Sequence, residues 1–442
     1  MKNRTFIRLS AIALSCIMLI TLLSCNMFKS KGDKKMKVNI QISIPDVIGS
    51  LALHKKDTVL QKSIALAKEA QNRSSEDFLI LFGKAWEQFA EGKSLSTAFE
   101  FSSQSPINKT STRDEVIEEL SKMTDKLIDR TIQTIEKRMS GMDVKLTEVQ
   151  KTKKRGELIL TLEDVEFPQR VIYLIQFDGN LAFWETYEYK ELFPYLDKAD
   201  KKLAEILHPD AKTASETEPK DKSADTTEFG LPKENNSLEK YEEDHPLLAY
   251  LQPALVQDEN GNYFPNKGPV VGYTLLSDTS RVNLMLKMPE IVKEFPPSLH
   301  FAWTVQAVGE NKNTLKLIAC KADYYGGPAM EAHYYITDSK WSVGQNYGNE
   351  IEIEMNAEGA TIWKRITQNN IGKSIAIVLD GSVYSFPIVQ AEIPGGRSSI
   401  TGSFTPEEAQ DMAWIFKTGG YPAHITIDKV SVYDKKGQPI EY

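Results

Sequence analysis

The chain has 442 residues, with 53 Lys and Arg against 61 Asp and Glu, a formal net charge of −8 and a 41% hydrophobic content. That balance argues against nucleic acid as a partner and against docking on anionic lipid through a basic face. Three cysteines, two of them within the first 25 residues, exclude a disulfide framework.

In chain order, Lys2, Arg4 and Arg8 precede an apolar run from Leu9 to Leu23 and then Ser24-Cys25, which reads as a secretory signal over residues 1–24 ending in a lipobox. The run is about 15 residues against the roughly 20 that a spanning helix needs, so lipid is expected on Cys25 after cleavage. An uncleaved signal anchor is the competing reading. Removal of three basic residues with the leader takes the balance from 53 − 61 to 50 − 61, or −11. Residues 25–36 then read as a tether that holds the chain to a membrane through its N-terminal lipid.

Val38, Ile40, Ile42 and Ile44 alternate as a half-buried strand. Residues 58–104 read as two helices and their connection. A long helix starts at the capping box Thr112 to Glu115 and keeps Val116, Leu120, Met123, Leu127, Ile135 and Met139 on one stripe as far as Gly141. Strands at 144–149 and 158–162, a helix at 168–176 and a strand at 181–187 follow. The segment 208–236 is rich in Lys, Glu, Asp, Ser, Thr and Pro and reads as a solvated linker. Beyond it VVGYTLL, LHFAWTV, TLKLIACKA and MEAHYYI read as strands and SRVNLMLKMPEIVKEF as a helix. Near the end come a strand at 351–355 and a helix capped by Asn356. Two apolar runs joined by Asp380-Gly381, the dipeptide suited to a tight hairpin, come next. The loop Gly395-Gly396, a helix with Thr405, Pro406 and Glu408 at its start, the stop Gly419-Gly420 and a strand at 424–427 complete the order.

The expected class is α+β, with two ferredoxin-like (split βαβ) antiparallel-sheet lobes. The first spans 37–205 with a helical insertion at 50–110. A linker at 206–240, a second lobe at 241–430 with extra strands and a tail at 431–442 follow.

Chemistry has weak support. The six histidines lack HxxH or HExxH spacing and no CxxC, GxSxG or phosphate-binding glycine loop is present, so no metal, cofactor or catalytic residue is expected and the chain reads as a non-enzyme. Glu331 and His333 would share a strand face, as surface polar pairs commonly do. Gly395-Gly396-Arg397 reads as a tight loop rather than an anion nest. KTKKR at 151–155 reads as a solvated hairpin tip and Cys320 as a small buried hydrophobe. LAFWETYEY and AHYYITDSKW offer an apolar groove or a strand edge for extended polypeptide, with core packing the default for most of the rings.

The words Val378 to Gly381, Ser385 to Pro387, Gly395-Gly396 and Phe404 to Asp411, with Gly402 between the last two, resemble the VLDG hairpin, Ser-x-Pro turn, Gly-Gly loop and FTxEEAxD helix of the first periplasmic domain of the SecD and SecDF protein-export family. Asp129 to Val144 and Asn180 to Glu188 are similar to a second, upstream pair of family segments. The resemblance covers most of 37–427. It makes Asp380, Gly381, Pro387, Gly395, Gly396, Gly402, Glu408 and Asp411 family-motif residues. KSKGDKKMK stands where the family shows DLKGG before its first strand, and no transmembrane bundle follows the head-like region. The resemblance implies a lipid-anchored, periplasm-facing accessory of Sec-dependent export. It would bind emerging or unfolded polypeptide beside the translocon or a full-length SecDF, without a proton-coupled motor of its own. A cell-envelope scaffold or ligand-binding lipoprotein that reuses the fold is the alternative.

Overall fold

A computed structural model describes residues 33–54, 57–99, 106–209, 235–259, 261–344, 348–402 and 404–441. Cys16, Cys25, the signal and most of the tether lie outside these residues, as does most of the expected linker. The helices are α1 (Ile44–Leu51), α2 (Thr58–Gln71), α3 (Phe78–Phe89), α4 (Arg113–Ser140), α5 (Pro168–Gln176), α6 (Tyr189–Leu207), α7 (Asn235–Asp244), α8 (Thr279–Leu286), α9 (Pro289–Val292), α10 (Ala357–Asn369) and α11 (Pro406–Thr418). The strands are β1 (Lys34–Ile42), β2 (Lys145–Lys151), β3 (Glu157–Val165), β4 (Leu181–Thr186), β5 (Gln252–Pro253), β6 (Leu255–Gln257), β7 (Tyr263–Pro265), β8 (Val270–Leu275) and β9 (Leu299–Trp303). They continue with β10 (Thr314–Lys321), β11 (Ile336–Gly344), β12 (Gly348–Met355), β13 (Ile375–Leu379), β14 (Ser382–Ser385), β15 (Arg397–Thr401), β16 (Ile425–Tyr433) and β17 (Pro439–Ile440). Among the described residues no helix is long and apolar enough to cross a membrane.

Local chemistry sets most of these bounds. Thr112 and Glu115 close their capping box, with Glu115 Oε2 accepting from Thr112 N at 2.8 Å. Thr405 and Glu408 do the same at 2.9 and 3.1 Å, with Pro406 at the first helical position. Asn356 Oδ1 accepts from Gly359 N at 2.8 Å and starts α10. Asp380 and Gly381 take φ of 49° and 80°, the left-handed pair that a two-residue hairpin needs. Other elements differ from expectation. Ser43 caps α1 and so ends β1 at Ile42. The helix expected over 280–295 is two, broken at Met288 because Pro289 disfavours helical geometry in the residue before it. The segment MEAHYYI is a 3₁₀ turn at Ala332–Tyr334 rather than a strand.

Strand partnership corrects the expected lobes. The five-stranded sheet has the order β17-β16-β1-β3-β2 and a larger sheet has β14-β13-β4-β10-β8-β5, with β9 on β10. The strand expected to close the first lobe, β4, pairs instead with β13 and β10. The strand expected to close the second, β16, returns to β1 over Lys35–Ile42. The two lobes are therefore not built each from its own half of the chain.

The reason lies in burial. In β1 only one face is fully buried, Met36, Val38, Ile40 and Ile42, and it packs in one core with Val116, Leu120, Ile135 and Met139 of α4. β4 is buried on both faces: Leu181 and Phe183 enter that first core, whereas Ala182 and Trp184 enter a second. β13 divides in the same way, Ile375, Ile377 and Leu379 against Ala376 and Val378. A strand apolar on both faces belongs inside a sheet covered on both sides. Here β4 and β13 form the wall between two cores, and Phe183 meets Trp363 at 4.3 Å on one side while Trp184 stacks on His300 at 4.5 Å on the other. A third sheet, β11-β12-β15, carries Ile351, Ile353 and Ile400 into the first core with Ala409, Met412 and Phe416 of α11.

Candidate functional site

Parts of three segments singled out by resemblance, Asp129 to Val144, Asn180 and Asp380, come together at the end of α4. Arg138 is fully buried and extends from the apolar stripe of that helix. Its guanidinium donates from Nη1 to Leu174 O at 2.9 Å and to Phe177 O, and from Nη2 to Asp178 O at 3.1 Å and Gly419 O at 2.9 Å. It also lies 4.0 Å from the centroid of Tyr421. Trp414 Nε1 donates to Arg138 O at 3.1 Å, and Gly141 leaves the room for that indole, since a Cβ there would lie 2.2 Å from it. One cation thus holds together the ends of α4, α5 and α11.

Two carboxylates flank it. Asp178 Oδ2 lies 2.7 Å from His424 Nδ1, and its Oδ1 accepts from Ile425 N at 3.3 Å, which fixes the start of β16. This contact, chiefly the hydrogen bond to Asp178, raises the His424 pKa. Asp380 sits at an exposed hairpin position, yet its carboxylate turns inward and accepts from Gly179 N at 3.1 Å and Asn180 N at 2.8 Å. Burial of that carboxyl group, with Asp178 adding repulsion, pushes its pKa up to about 6 despite the two amides. Gly179, at φ 78°, has no room for a Cβ, which would lie 2.6 Å from Ile415 and 2.8 Å from Arg138. The arrangement binds loops to one another. It presents no nucleophile next to a base.

The remaining motif residues make separate contacts. Asp411, buried on α11, receives Arg170 of α5 through Nε at 3.0 and 3.1 Å and through Nη2. Pro387 O accepts from Ile375 N at 3.1 Å. Gly396 takes φ 65° with Ala360 beneath it, whereas Gly395 has open space. Gly402 lies against the ring of Phe404.

The other candidates fall in separate places. His54 stacks on Tyr325, His300 on Trp184, and His245 Nδ1 lies 2.8 Å from Asp200 Oδ2, so the histidines are dispersed. Among the described residues no three metal-ligating side chains come together. Arg397 pairs with Glu354 at 3.2 Å. The KTKKR run lies at the β2–β3 hairpin with Lys151, Lys153 and Lys154 exposed; Lys151 pairs with Asp129 at 2.7 Å and the partly buried Arg155 with Asp77 at 2.9 Å and with Asp125, which pins the hairpin to α3 and α4. Cys320 is buried and its thiol is pushed up to about 12 by desolvation. Of the aromatic stretches, Phe183, Trp184 and Tyr189 are core residues, whereas Tyr334 and Trp341 reach the surface. Arg138, Asp178, Tyr421 and His424 were not singled out from the sequence. Arg138 was detectable in principle, seven residues after Thr131 and three after Ile135 on the stripe of α4.

The family described as SecDF, P1 head subdomain, matches residues 331–423, which include every motif residue from Asp380 to Asp411. Protein translocase subunit SecD of Rhodothermus marinus is 30% identical over 397 residues, covering 89% of this chain and 60% of that protein. SecD of Sebaldella termitidis is 51% identical over 77 residues, covering 17% of this chain and 19% of that protein. A solved chain titled "Structure and function of a membrane component SecDF that enhances protein export" is 17% identical, with a TM-score of 0.34 over 69% of this chain and 92% of that one. The chain spans 60% of the length of the Rhodothermus protein, and its resemblance to SecD runs over most of its own length.

Proposed function

We propose that this chain, a relative of SecD over most of its length, serves protein translocation. In this reading it is held to a membrane by lipid on Cys25, faces the periplasm, and binds emerging or unfolded polypeptide beside the Sec translocon or a full-length SecDF. It acts by binding rather than catalysis, and proton-coupled work belongs to its partner. The observation that carries the reading is the 30% identity to a SecD protein over 397 residues. We read the sheet β16-β1-β3-β2 with α4 and α5 as a split βαβ base whose fourth strand comes from beyond the head region, so that Arg138 and the Arg170–Asp411 pair seat the head on the base.

Deletion of the gene followed by pulse-chase of exported proteins tests the proposal. Accumulation of precursors, restored by the intact chain, is expected. Normal processing, with pulldowns that recover neither Sec components nor unfolded clients, would favour an envelope scaffold instead. Membrane fractionation of a Cys25→Ser variant checks the anchor, which is expected to be lost.

A further inference from the structure

A cleft between α4 and the C-terminal end of α11 carries a charge opposite to that of the whole chain. Its volume is about 480 Å³; Lys126, Arg130, Gln133 and Lys137 line one side and Gly419 and Gly420 the other. The three cations are exposed, and none makes an ion pair among the described residues, whereas Lys122 and Lys151 nearby are both paired. Asp129 lies in the same wall, but Lys151 at 2.7 Å already meets its charge. Thr134 and Thr418 spend their hydroxyl protons on helix carbonyls. The groups left to meet a ligand are three cations and an amide, in a protein of net charge −8.

Their line along one helix face suits an extended ligand. Lys126 to Lys137 is eleven residues along one helix face, about 16 Å at 1.5 Å per residue. An extended chain covers that length in about five residues at roughly 3.3 Å each, and its alternate side chains fall about 6.6 Å apart on one face. The step from Lys126 to Arg130 is about 6 Å and that from Arg130 to Lys137 about 10 Å, so the cations form an uneven line rather than a strict repeat. The glycine wall has no side chains to hold a backbone away. A bilayer presents a plane of headgroups, which a convex face meets better than a recessed cleft.

We propose that this cleft binds an extended, acidic polypeptide segment whose carboxylates meet Lys126, Arg130 and Lys137. The proposal rests on the reading that the chain handles polypeptide, and it names the class of segment recognised. The test is fluorescence anisotropy of labelled Gly-Glu-Gly-Glu-Gly-Glu-Gly with the purified full chain, against the same peptide with Gln for Glu. Expected are binding of the Glu peptide alone, weakening between 20 and 300 mM salt at about the sensitivity of three charge contacts, and at least a tenfold loss in Arg130→Glu/Lys137→Glu. A Lys68→Glu control on α2 should leave binding unchanged. Equal binding of the Gln peptide, or insensitivity to the double reversal in protein of unchanged circular dichroism, would overturn it. So would vesicles containing phosphatidylglycerol that depend on the two cations when the peptide does not. Because binding is read on purified protein, its outcome is separate from that of the export assay.

Discussion

The guanidinium of Arg138 rests 4.0 Å from the ring centroid of Tyr421, buried with it, and hydrogen-bonds to backbone carbonyls. Its charge is spread over those of Leu174, Phe177, Asp178 and Gly419. A planar group with five donors suits such a ring of acceptors, which an ammonium cannot reproduce. Arg138→Met is expected to lower unfolding free energy by about 3 to 5 kcal/mol, since it strands several buried acceptors and the nearby carboxylates. Arg138→Lys should recover part of this. Urea denaturation followed by tryptophan fluorescence measures both, and a loss under about 1 kcal/mol for the Met variant would contradict this role.

The Arg170–Asp411 pair joins α5 to α11 through two nitrogens. Asp411 is nearly buried while Arg170 is half-exposed, so removal of the arginine strands a shielded carboxylate. Arg170→Ala is expected to cost about 2 kcal/mol, below the fully buried range because of solvent screening. A double-mutant cycle with Asp411→Asn should give coupling of about 1 kcal/mol or more. Additive losses would show that the contact is incidental.

Stability is expected to fall as pH rises through the neutral range. His424 and His245 have pKa values raised mainly by hydrogen bonds to Asp178 and Asp200, so their contribution is full below the unfolded value of 6.5 and is lost as pH climbs through the raised folded values. Asp380 acts in the same sense. Its pKa rises from 3.8 to about 6, so the fold binds its proton more tightly and an unfavourable charge develops as pH passes from 3.8 through 6. Denaturation midpoints at half-unit steps from pH 5 to 8 check this. His424→Gln should flatten the upper part of the profile and Asp380→Asn the lower part; parallel profiles for all three proteins would contradict the assignment.

The adjacent glycines of the Gly395-Gly396 loop should respond differently to alanine. Gly395 faces open space, whereas Gly396 has φ 65° and a Cβ there would lie 2.7 Å from Ala360. Gly395→Ala is expected to change stability by under about 0.5 kcal/mol and Gly396→Ala to cost about 2 kcal/mol, from strain at positive φ plus the clash. Thermal denaturation of the two variants side by side checks the contrast.

Residue order alone determined much of the local structure, because capping and turn chemistry act over a few neighbouring residues. Thr112 with Glu115, Thr405 with Glu408, Asn356 and Asp380-Gly381 each specify an element by bonds to their own backbone. Of these, Thr405, Glu408 and Asp380-Gly381 also carried the family resemblance. In α6 the internal Pro194 masks the helical pattern, although the Glu188–Glu191 capping box marks its start.

Partnership was decided only in three dimensions. β4, with its continuous apolar run LAFW, and β16, which alternates as ITIDKVSVY, differ locally, but which of them lies beside β1 was settled only by packing: the strand apolar on both faces separates two cores. Nor does a run of α-helical letters reveal that Arg138 will meet Gly419 and Tyr421, or that Lys126, Arg130 and Lys137 will face a glycine wall. Hydrophobic periodicity states which side of an element is hidden, but burial is non-directional and leaves open what hides it. That depends on how the whole chain packs.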